Sequence, residues 1–165
     1  PCTFQVSMDG MTKKTFESIR VGANFEEVVE NFKRLHAYSQ RPGGYVSLTF
    51  CLMRQNWQEM GDFLLFGDEW DCYVSMMPVV FPSTCSLYTL PKGELAEVVR
   101  SLEAQEPTIL SKLGRNKQVW LEQMERLRNR LTHYDENRPV FASLRLLEPF
   151  RGEPEVFQIE GLDPV

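Results

Sequence analysis

Three segments of this sequence alternate apolar and polar residues with the period of a β-strand, and helical patterns separate them. The clearest is Tyr45–Met53, in which every second residue from Val46 to Leu52 is apolar. Cys2–Met8 alternates in the same way, and Tyr73–Val80 does so less regularly. Such alternation gives a strand one apolar face and one polar face. Because a helical pattern follows each strand, we predict an α/β fold with parallel strands joined by right-handed crossovers.

Capping residues mark the starts of the first three predicted helices. Thr12 can cap a short helix, and Asn24 with Glu27 three residues later has the capping-box spacing before a longer one. Asn56 with Glu59 repeats that spacing. The sequence therefore predicts Asn56 as the N-cap of the third helix.

The polar faces of the first two strands favour a barrel over an open sheet. Parallel strands that are covered on both faces tend to be apolar throughout, whereas a barrel with a lined interior accounts for a polar inner face. Three strands cannot close a barrel of about eight. We therefore predict part of a TIM-like (β/α) barrel, with helices covering Phe4, Val6, Leu48 and Phe50. The residues expected to look inward are Gln5, Ser7, Thr49 and Cys51.

The C-terminal part of the sequence predicts helix rather than further barrel. A fourth helix is expected to begin at Pro91, which suits the first helical position, and its region to end at Glu106-Pro107. A long amphipathic helix follows at roughly 116–134, and a tail with two short strands (141–147 and 155–159) comes last. We divide the chain into a barrel half, 1–106, and a helical extension and tail, 107–165.

Composition narrows the classes of partner. The 165 residues carry a net charge of −5, with a pI of about 5.2, so no overall attraction to nucleic acid or to an anionic membrane is expected. No apolar run approaches the roughly 20 residues that a membrane span needs, and no signal-peptide pattern is present. The sequence therefore predicts a cytoplasmic protein.

The four cysteines do not form a recognisable metal motif. Cys2, Cys51, Cys72 and Cys85 lie far apart, with no CxxC spacing. The chain is also long enough to fold without disulfides. We predict free thiols and no metal site in this chain.

Polar residues gather where the first strand ends. In α/β barrels, ligands bind at the C-terminal edge of the strands, and Ser7, Asp9 and Gly10 lie at that edge. Arg20, one short helix later, could return to the same rim and hold a carboxylate bidentately. Two interpretations remain open: a small-ligand site, or an ordinary turn in which Arg20 pairs with a nearby acid.

The same stretch resembles a known family. VSMDGMTKKTFESIRVGANFEEVVENFKRL, with its SxDG turn, its I-R-x-G run and its F-x-x-V-x-x-N run, is similar to the central segment of radical S-adenosylmethionine enzymes. TFCLMRQNWQEM, with an N-x-x-E run, and PVVFPSTCSLYTLPKGEL are similar to the following strands and loops. The resemblance covers about residues 3 to 105.

This resemblance implies an iron–sulfur oxidoreductase that binds S-adenosylmethionine across the top of a partial barrel and splits it with a [4Fe–4S] cluster. By position, Ser7 would bond the methionyl or ribose part of the cofactor, and Asp9-Gly10 would shape the rim. Arg20 would hold the methionine carboxylate, and Val79 or Val80 would touch the adenine. The substrate would be a small molecule or a peptide.

The sequence departs from the family in one large respect. The cluster-binding CxxxCxxC motif and the first strands of the barrel are absent. A thiolate-held cluster needs those cysteines, so we expect this chain alone to be inactive and to require the missing N-terminal half of the barrel. An exposed sheet edge would also favour a homodimer or aggregation.

Two other functions remain open. One is a non-catalytic α/β module that binds a partner or a small molecule. The other is an unrelated α/β enzyme that uses Asp9 and Cys51.

Overall fold

The computed structural model describes residues 2–135, which form a three-stranded sheet and five α-helices. The strands are β1 (Thr3–Ser7), β2 (Tyr45–Leu52) and β3 (Tyr73–Pro78). The helices are α1 (Lys13–Ile19), α2 (Phe25–Ser39), α3 (Met60–Glu69), α4 (Lys92–Lys112) and α5 (Lys117–Thr132). Two short 3-10 helices, Trp57–Glu59 and Leu87–Thr89, precede α3 and α4.

The sheet is parallel, as predicted, and its strands follow one another in sequence order. β1 pairs with β2 from Thr3 opposite Tyr45, and β2 pairs with β3 from Ser47 opposite Tyr73. The side-chain oxygens of Thr12 and Asn24 accept hydrogen bonds from the backbone N–H groups three residues later. These two predicted helix caps are confirmed.

The core lies on one face of the sheet. The even-numbered residues of β2, together with Val74 and Met76 of β3, are buried in a single apolar cluster with residues of α2, α3, α4 and α5. Phe4 and Val6 of β1 pack against the same cluster. These apolar residues are therefore on the helix-covered face, as their alternation predicts.

The opposite face of the sheet is not covered by any element of residues 2–135. Tyr73 on this face is 62% exposed, and Met77 on the same strand is 56% exposed. Tyr45 is a third exposed aromatic or apolar residue here, and the other residues of this bare face are polar or small: Thr3, Gln5, Ser7, Ser47, Thr49, Cys51 and Ser75. The four residues predicted to look inward all lie here.

Two side-chain amides, one just before α5 and one within it, form hydrogen bonds with the outer edge of β3. The side-chain amide of Asn116, just before α5, accepts a hydrogen bond from Val74 N–H (2.9 Å) and donates one to Cys72 O (2.9 Å). Seven residues after Asn116, the Nε2 of Gln123 in α5 donates to Met76 O (3.3 Å). These amides replace the backbone groups of a fourth strand, so this edge is closed.

The outer edge of β1, in contrast, is unpaired among residues 2–135. Met8 N–H donates to Thr49 O of β2, so the backbone groups of Thr3, Gln5 and Ser7 point away from the sheet. Among residues 2–135 those groups have no hydrogen-bond partner. At the β3 edge, by contrast, the next residue, Pro78, has no N–H to offer. A strand added beside β3 would have to displace the Asn116 and Gln123 amides, whereas one added beside β1 would not.

Two boundaries differ from the sequence-based expectation. α4 does not end at Glu106-Pro107 but continues through Pro107 to Lys112, so the predicted division at 106/107 falls inside a helix. β3 ends at Pro78 rather than Val80. The helix predicted at roughly 116–134 corresponds to α5 (Lys117–Thr132), but α4, with 21 residues, is longer. The two strands predicted in the tail, 141–147 and 155–159, lie outside the described residues.

Among residues 2–135, none of the helices has the length and apolar character needed to cross a bilayer.

We expect Asn116→Ala to lower the free energy of unfolding by about 3 kcal/mol, because it leaves the buried groups Val74 N–H and Cys72 O without partners. Asn116 is 1% exposed, and its Nδ2 also donates to Asp68 (2.8 Å), which adds to the loss. Urea unfolding measures the change, and Gln118→Ala, at an exposed position of α5, is the matched control. Equal stabilities of the two variants would show that α5 does not secure this edge.

Candidate functional site

Asp9 joins three elements at the C-terminal end of β1. The residue is 4% exposed. Its Oδ1 accepts a hydrogen bond from Cys51 N–H of β2 (2.7 Å), and its Oδ2 accepts from Arg20 Nε (2.8 Å). Arg20 Nη2 also lies 2.8 Å from Oδ2. The two residues that the sequence places at one rim are therefore in direct contact, as an ion pair.

Asn56 secures the same junction from the β2 side. Its side chain is fully buried; Nδ2 donates to Asp9 O (3.0 Å) and to Cys51 O (2.9 Å), and Oδ1 accepts from Met53 N–H (2.8 Å). Asn56 occupies the N-cap position of the 3-10 helix that leads into α3, but its side chain makes no capping hydrogen bond. It holds the end of β1 against the end of β2 instead.

Glu59, the last residue of the 3-10 helix before α3, caps the start of α1. Its Oε2 accepts from Met11 N–H (2.6 Å), and its Oε1 accepts from the hydroxyls of Thr12 (2.8 Å) and Thr15 (2.7 Å). Burial acts to raise the pKa of Glu59, but these hydrogen bonds outweigh it and hold the pKa below its ordinary value. Glu59 is therefore an ionised structural group at neutral pH.

Gly10 is required by the close approach of the chain's own helix. A Cβ atom at this position would lie 2.7 Å from Phe16 N and 3.0 Å from Phe16 Cα in α1. Gly10 therefore allows α1 to pack directly onto the Asp9-Gly10 turn.

The bare face adjoins this rim. Gln5 Nε2 donates to Thr49 Oγ1 (2.7 Å), and Ser7 is in register with Thr49. Cys51 lies on the same face, and burial together with the nearby Asp9 carboxylate raises the pKa of its thiol. A thiol of raised pKa is a poor nucleophile at neutral pH. The bare face therefore carries hydrogen-bonding side chains, and its Cys51 thiol is not activated.

Val79 lies apart from the other predicted rim residues. It follows the last residue of β3, is half-buried, and its N–H donates to Leu52 O (3.0 Å). β2 separates it from Ser7 and Asp9 in the sheet. It belongs to the same C-terminal edge but makes no hydrogen bond or ring contact with those residues.

Sequence reasoning missed two residues of this site, Asn56 and Glu59. Both belong to the N-x-x-E run after the second strand, whose spacing predicts a helix cap. Local spacing cannot show that the two side chains reach across to Asp9 and α1, 47 and 44 to 48 residues away in sequence.

Residues 2–135 contain no group of three or more His, Cys, Asp or Glu side chains that could hold a metal ion. Cys2, Cys51, Cys72 and Cys85 are free thiols. The donor set of a [4Fe–4S] cluster, several cysteines around one point, does not fit this part of the chain.

No protein-family model matches the sequence, and no curated protein and no solved structure is significantly similar to it. The function is therefore inferred from the residues and geometry of the chain itself.

Gly10→Ala is expected to destabilise the chain by about 2 kcal/mol, since the added methyl group overlaps the backbone of α1, which cannot move away without displacing the rim. Gly93→Ala is the matched control, because a Cβ there meets open space near the start of α4. Chemical unfolding should show the loss only for Gly10→Ala. A small or absent difference between the two would mean that α1 can shift freely.

Glu59→Gln tests the cap of α1 through its pH dependence. The pKa of Glu59 is lowered in the folded chain, so its stabilising contribution is present above the ordinary value of 4.5 and is lost as pH falls through the folded pKa. The stability difference between parent and variant should be constant near about pH 7 and shrink below about pH 4.5. Unfolding free energies across this range measure it, with the exposed Glu125→Gln as control. A difference that does not change with pH would contradict the assignment.

Proposed function

We propose that this chain is part of a radical S-adenosylmethionine iron–sulfur oxidoreductase and that it contributes the cofactor-binding rim and part of the substrate lumen. The proposal includes a partial (β/α) barrel, completed by an N-terminal half that carries the cluster-binding cysteines. When bound, S-adenosylmethionine and its cluster would supply a carbon-centred radical. The residues of this chain would bind and orient the cofactor.

The observation that carries the proposal is the one-sided sheet. Doubly wound sheets place helices on both faces and reverse the strand order. Here the strands follow in sequence order, and the helices of residues 2–135 pack on one face only. A barrel has this arrangement, with helices outside and the second face of each strand turned toward the lumen. The polar bare face then becomes a lumen wall.

The unequal edges support a partner on one side. β3 is closed by Asn116 and Gln123, whereas the outward backbone groups of β1 have no partner among residues 2–135. Strands of the N-terminal half would pair with β1. In this proposal the complementary half of the barrel would lie beside β1.

The rim residues suit S-adenosylmethionine in different ways. Arg20 remains 38% exposed while paired with Asp9, so it can contact a carboxylate without losing its support. Ser7 can donate to or accept from the methionyl or ribose part, and Asp9-Gly10 shapes the turn beneath it. Val79 stands at the far end of the same edge, where the adenine would lie. Gln5, Thr49 and Cys51 would line the substrate lumen.

A non-catalytic binding module is the second candidate, and the Asp9–Arg20 contact favours it. This ion pair satisfies both charges without a ligand, which is what a purely structural turn would show. In that case a second copy of the chain could cover the β1 edge. A cooperatively unfolding, monodisperse chain that contains no iron and does not bind S-adenosylmethionine would support this alternative.

The radical-enzyme proposal predicts a CxxxCxxC motif encoded upstream of Pro1, within about 125 residues, half the length of a full barrel. The longer chain, reconstituted with iron and sulfide without oxygen, should convert S-adenosylmethionine to 5′-deoxyadenosine when reduced, as measured by chromatography. Arg20→Met should weaken cofactor binding about tenfold or more, because a charge-assisted hydrogen bond is lost.

The matched control is Arg34→Met, since Arg34 is an exposed arginine of α2 whose ion-pair partner among residues 2–135 is Glu30. It should bind the cofactor as the parent does. If no such motif lies upstream, or if the reconstituted longer chain forms no 5′-deoxyadenosine, the proposed activity is wrong.

A further inference from the structure

The bare face of the sheet carries no formal charge. It is formed by the odd-numbered residues of β1, β2 and β3, none of which is Lys, Arg, His, Asp or Glu, although 25% of the whole chain is charged. The thiol of Cys51 on this face stays protonated at neutral pH, because its pKa is raised. Solvent-facing surfaces are normally rich in charged side chains. An uncharged face suits a neutral ligand, since a charge buried against it would find no partner.

The charged residues at the two ends of this face are already paired with one another. At the C-terminal ends of the strands, Asp9 is paired with Arg20. At the N-terminal end of β3, Asp71 is paired with Arg115. A charged ligand would have to compete with these ion pairs, whereas a neutral ligand on the face between them leaves both intact.

Three hydroxyl side chains form a row across the middle of the bare face. Ser7, Thr49 and Ser75 lie directly opposite one another on the three strands. Neighbouring strands are about 4.8 Å apart, which is close to the separation of alternate equatorial hydroxyl oxygens around a pyranose ring. Among residues 2–135 the hydroxyls of Ser7 and Ser75 have no hydrogen-bond partner, and the Thr49 hydroxyl, which accepts from Gln5 Nε2 (2.7 Å), can still donate. The row therefore offers groups that both donate and accept, as the hydroxyls of a sugar require.

An aromatic ring borders this row toward the N-terminal ends of the strands. Tyr73 precedes Ser75 on the same face of β3 and is 62% exposed. Arg115 holds its ring, with the guanidinium Cζ 4.5 Å from the ring centroid. The face of an aromatic ring is electron-rich and attracts weakly positive C–H groups. A sugar ring has C–H groups on its faces and hydroxyls around its edge, so it can contact Tyr73 and the hydroxyl row together.

We propose that the bare face binds an uncharged sugar ring. The hydroxyls of Ser7, Thr49 and Ser75 form hydrogen bonds with the sugar hydroxyls, and Tyr73 stacks against a C–H face of the ring. This face is the one assigned above to the substrate lumen, so the identification of the sugar as part of the substrate rests on the proposed function. The binding itself needs neither cluster nor cofactor. Because this chain supplies one wall of the lumen, it binds a single sugar weakly.

The test titrates the iron-free 165-residue chain with methyl β-D-glucopyranoside and follows its backbone amide signals by two-dimensional NMR. All ring substituents of this glycoside are equatorial, so both faces of the ring present C–H groups. We expect saturable shifts at residues of the bare face, with a dissociation constant of about 1 mM or weaker. Methyl β-D-glucuronide, which carries a carboxylate on the same ring, is the matched charged ligand. It should bind about fivefold more weakly, because the carboxylate loses hydration without gaining a partner.

Two variants of the face test its separate contributions. Ser75→Ala should weaken glycoside binding about fivefold, because one hydroxyl of the row is lost. Tyr73→Leu keeps an apolar side chain but removes the aromatic face, and should weaken binding about tenfold. The matched controls are Ser101→Ala, at an exposed position of α4, and Tyr38→Leu, on α2, whose ring is likewise covered by an arginine, Arg41 (4.4 Å). Both controls should bind the glycoside as the parent does.

The absence of saturable shifts at the bare face would overturn the proposal, as would binding that Ser75→Ala leaves unchanged. If N-acetyl-triglycine amide, an uncharged peptide, shifts these signals and the glycoside does not, the neutral ligand is a polypeptide and the sugar assignment is wrong. Should Tyr73→Leu fail to fold, Ser75→Ala, at an exposed position, and the glucuronide comparison still decide the outcome. The titration contains neither cluster nor S-adenosylmethionine, so its failure is distinguishable from a failure to form 5′-deoxyadenosine.

Discussion

The Asp9 carboxylate is the point on which the organisation of this chain depends. One oxygen binds the backbone of β2, and the other binds Arg20, the C-cap residue of α1. Asn56 then ties the Asp9 backbone to the turn after β2. A nearly buried carboxylate that accepts hydrogen bonds from both a backbone amide and a guanidinium has its charge compensated. The C-terminal edge of the first two strands is therefore fixed by polar contacts, although the apolar core lies on the other side of β2.

The second constraint is the asymmetry of the sheet. Helices cover one face of all three strands, α5 lies along the β3 edge, and the β1 edge is left open among residues 2–135. An unpaired strand edge is a template for another strand. A further strand would therefore pair with β1. This asymmetry supports the proposed barrel more strongly than any single residue of the rim does.

Local sequence patterns predicted the features that depend on neighbouring residues, namely the strand faces and two helix caps. The faces of β1 and β2 followed from their alternation, and the caps Thr12 and Asn24 from their spacing. Asn56 has the same spacing as Asn24 but a different role, because tertiary partners at Asp9 and Cys51 take its hydrogen bonds. α4 passes Pro107 because Leu102 and Ile109 on either side of it remain in the core, and this burial outweighs the local cost of proline. For both Asn56 and α4, tertiary contacts outweighed the local sequence pattern.

The hydrogen-bond network at the rim also affects how tightly a ligand could bind there. A site whose side chains already hold one another pays little to order them when a ligand arrives. Arg20 is oriented by Asp9, and Asp9 by the β2 backbone, so a carboxylate at this edge would meet a guanidinium that is fixed in place. The ion pair that allows a purely structural interpretation is, for the same reason, what would make the rim an effective binding surface. The two interpretations differ in whether the exposed part of Arg20 faces a ligand or solvent once the β1 edge is covered.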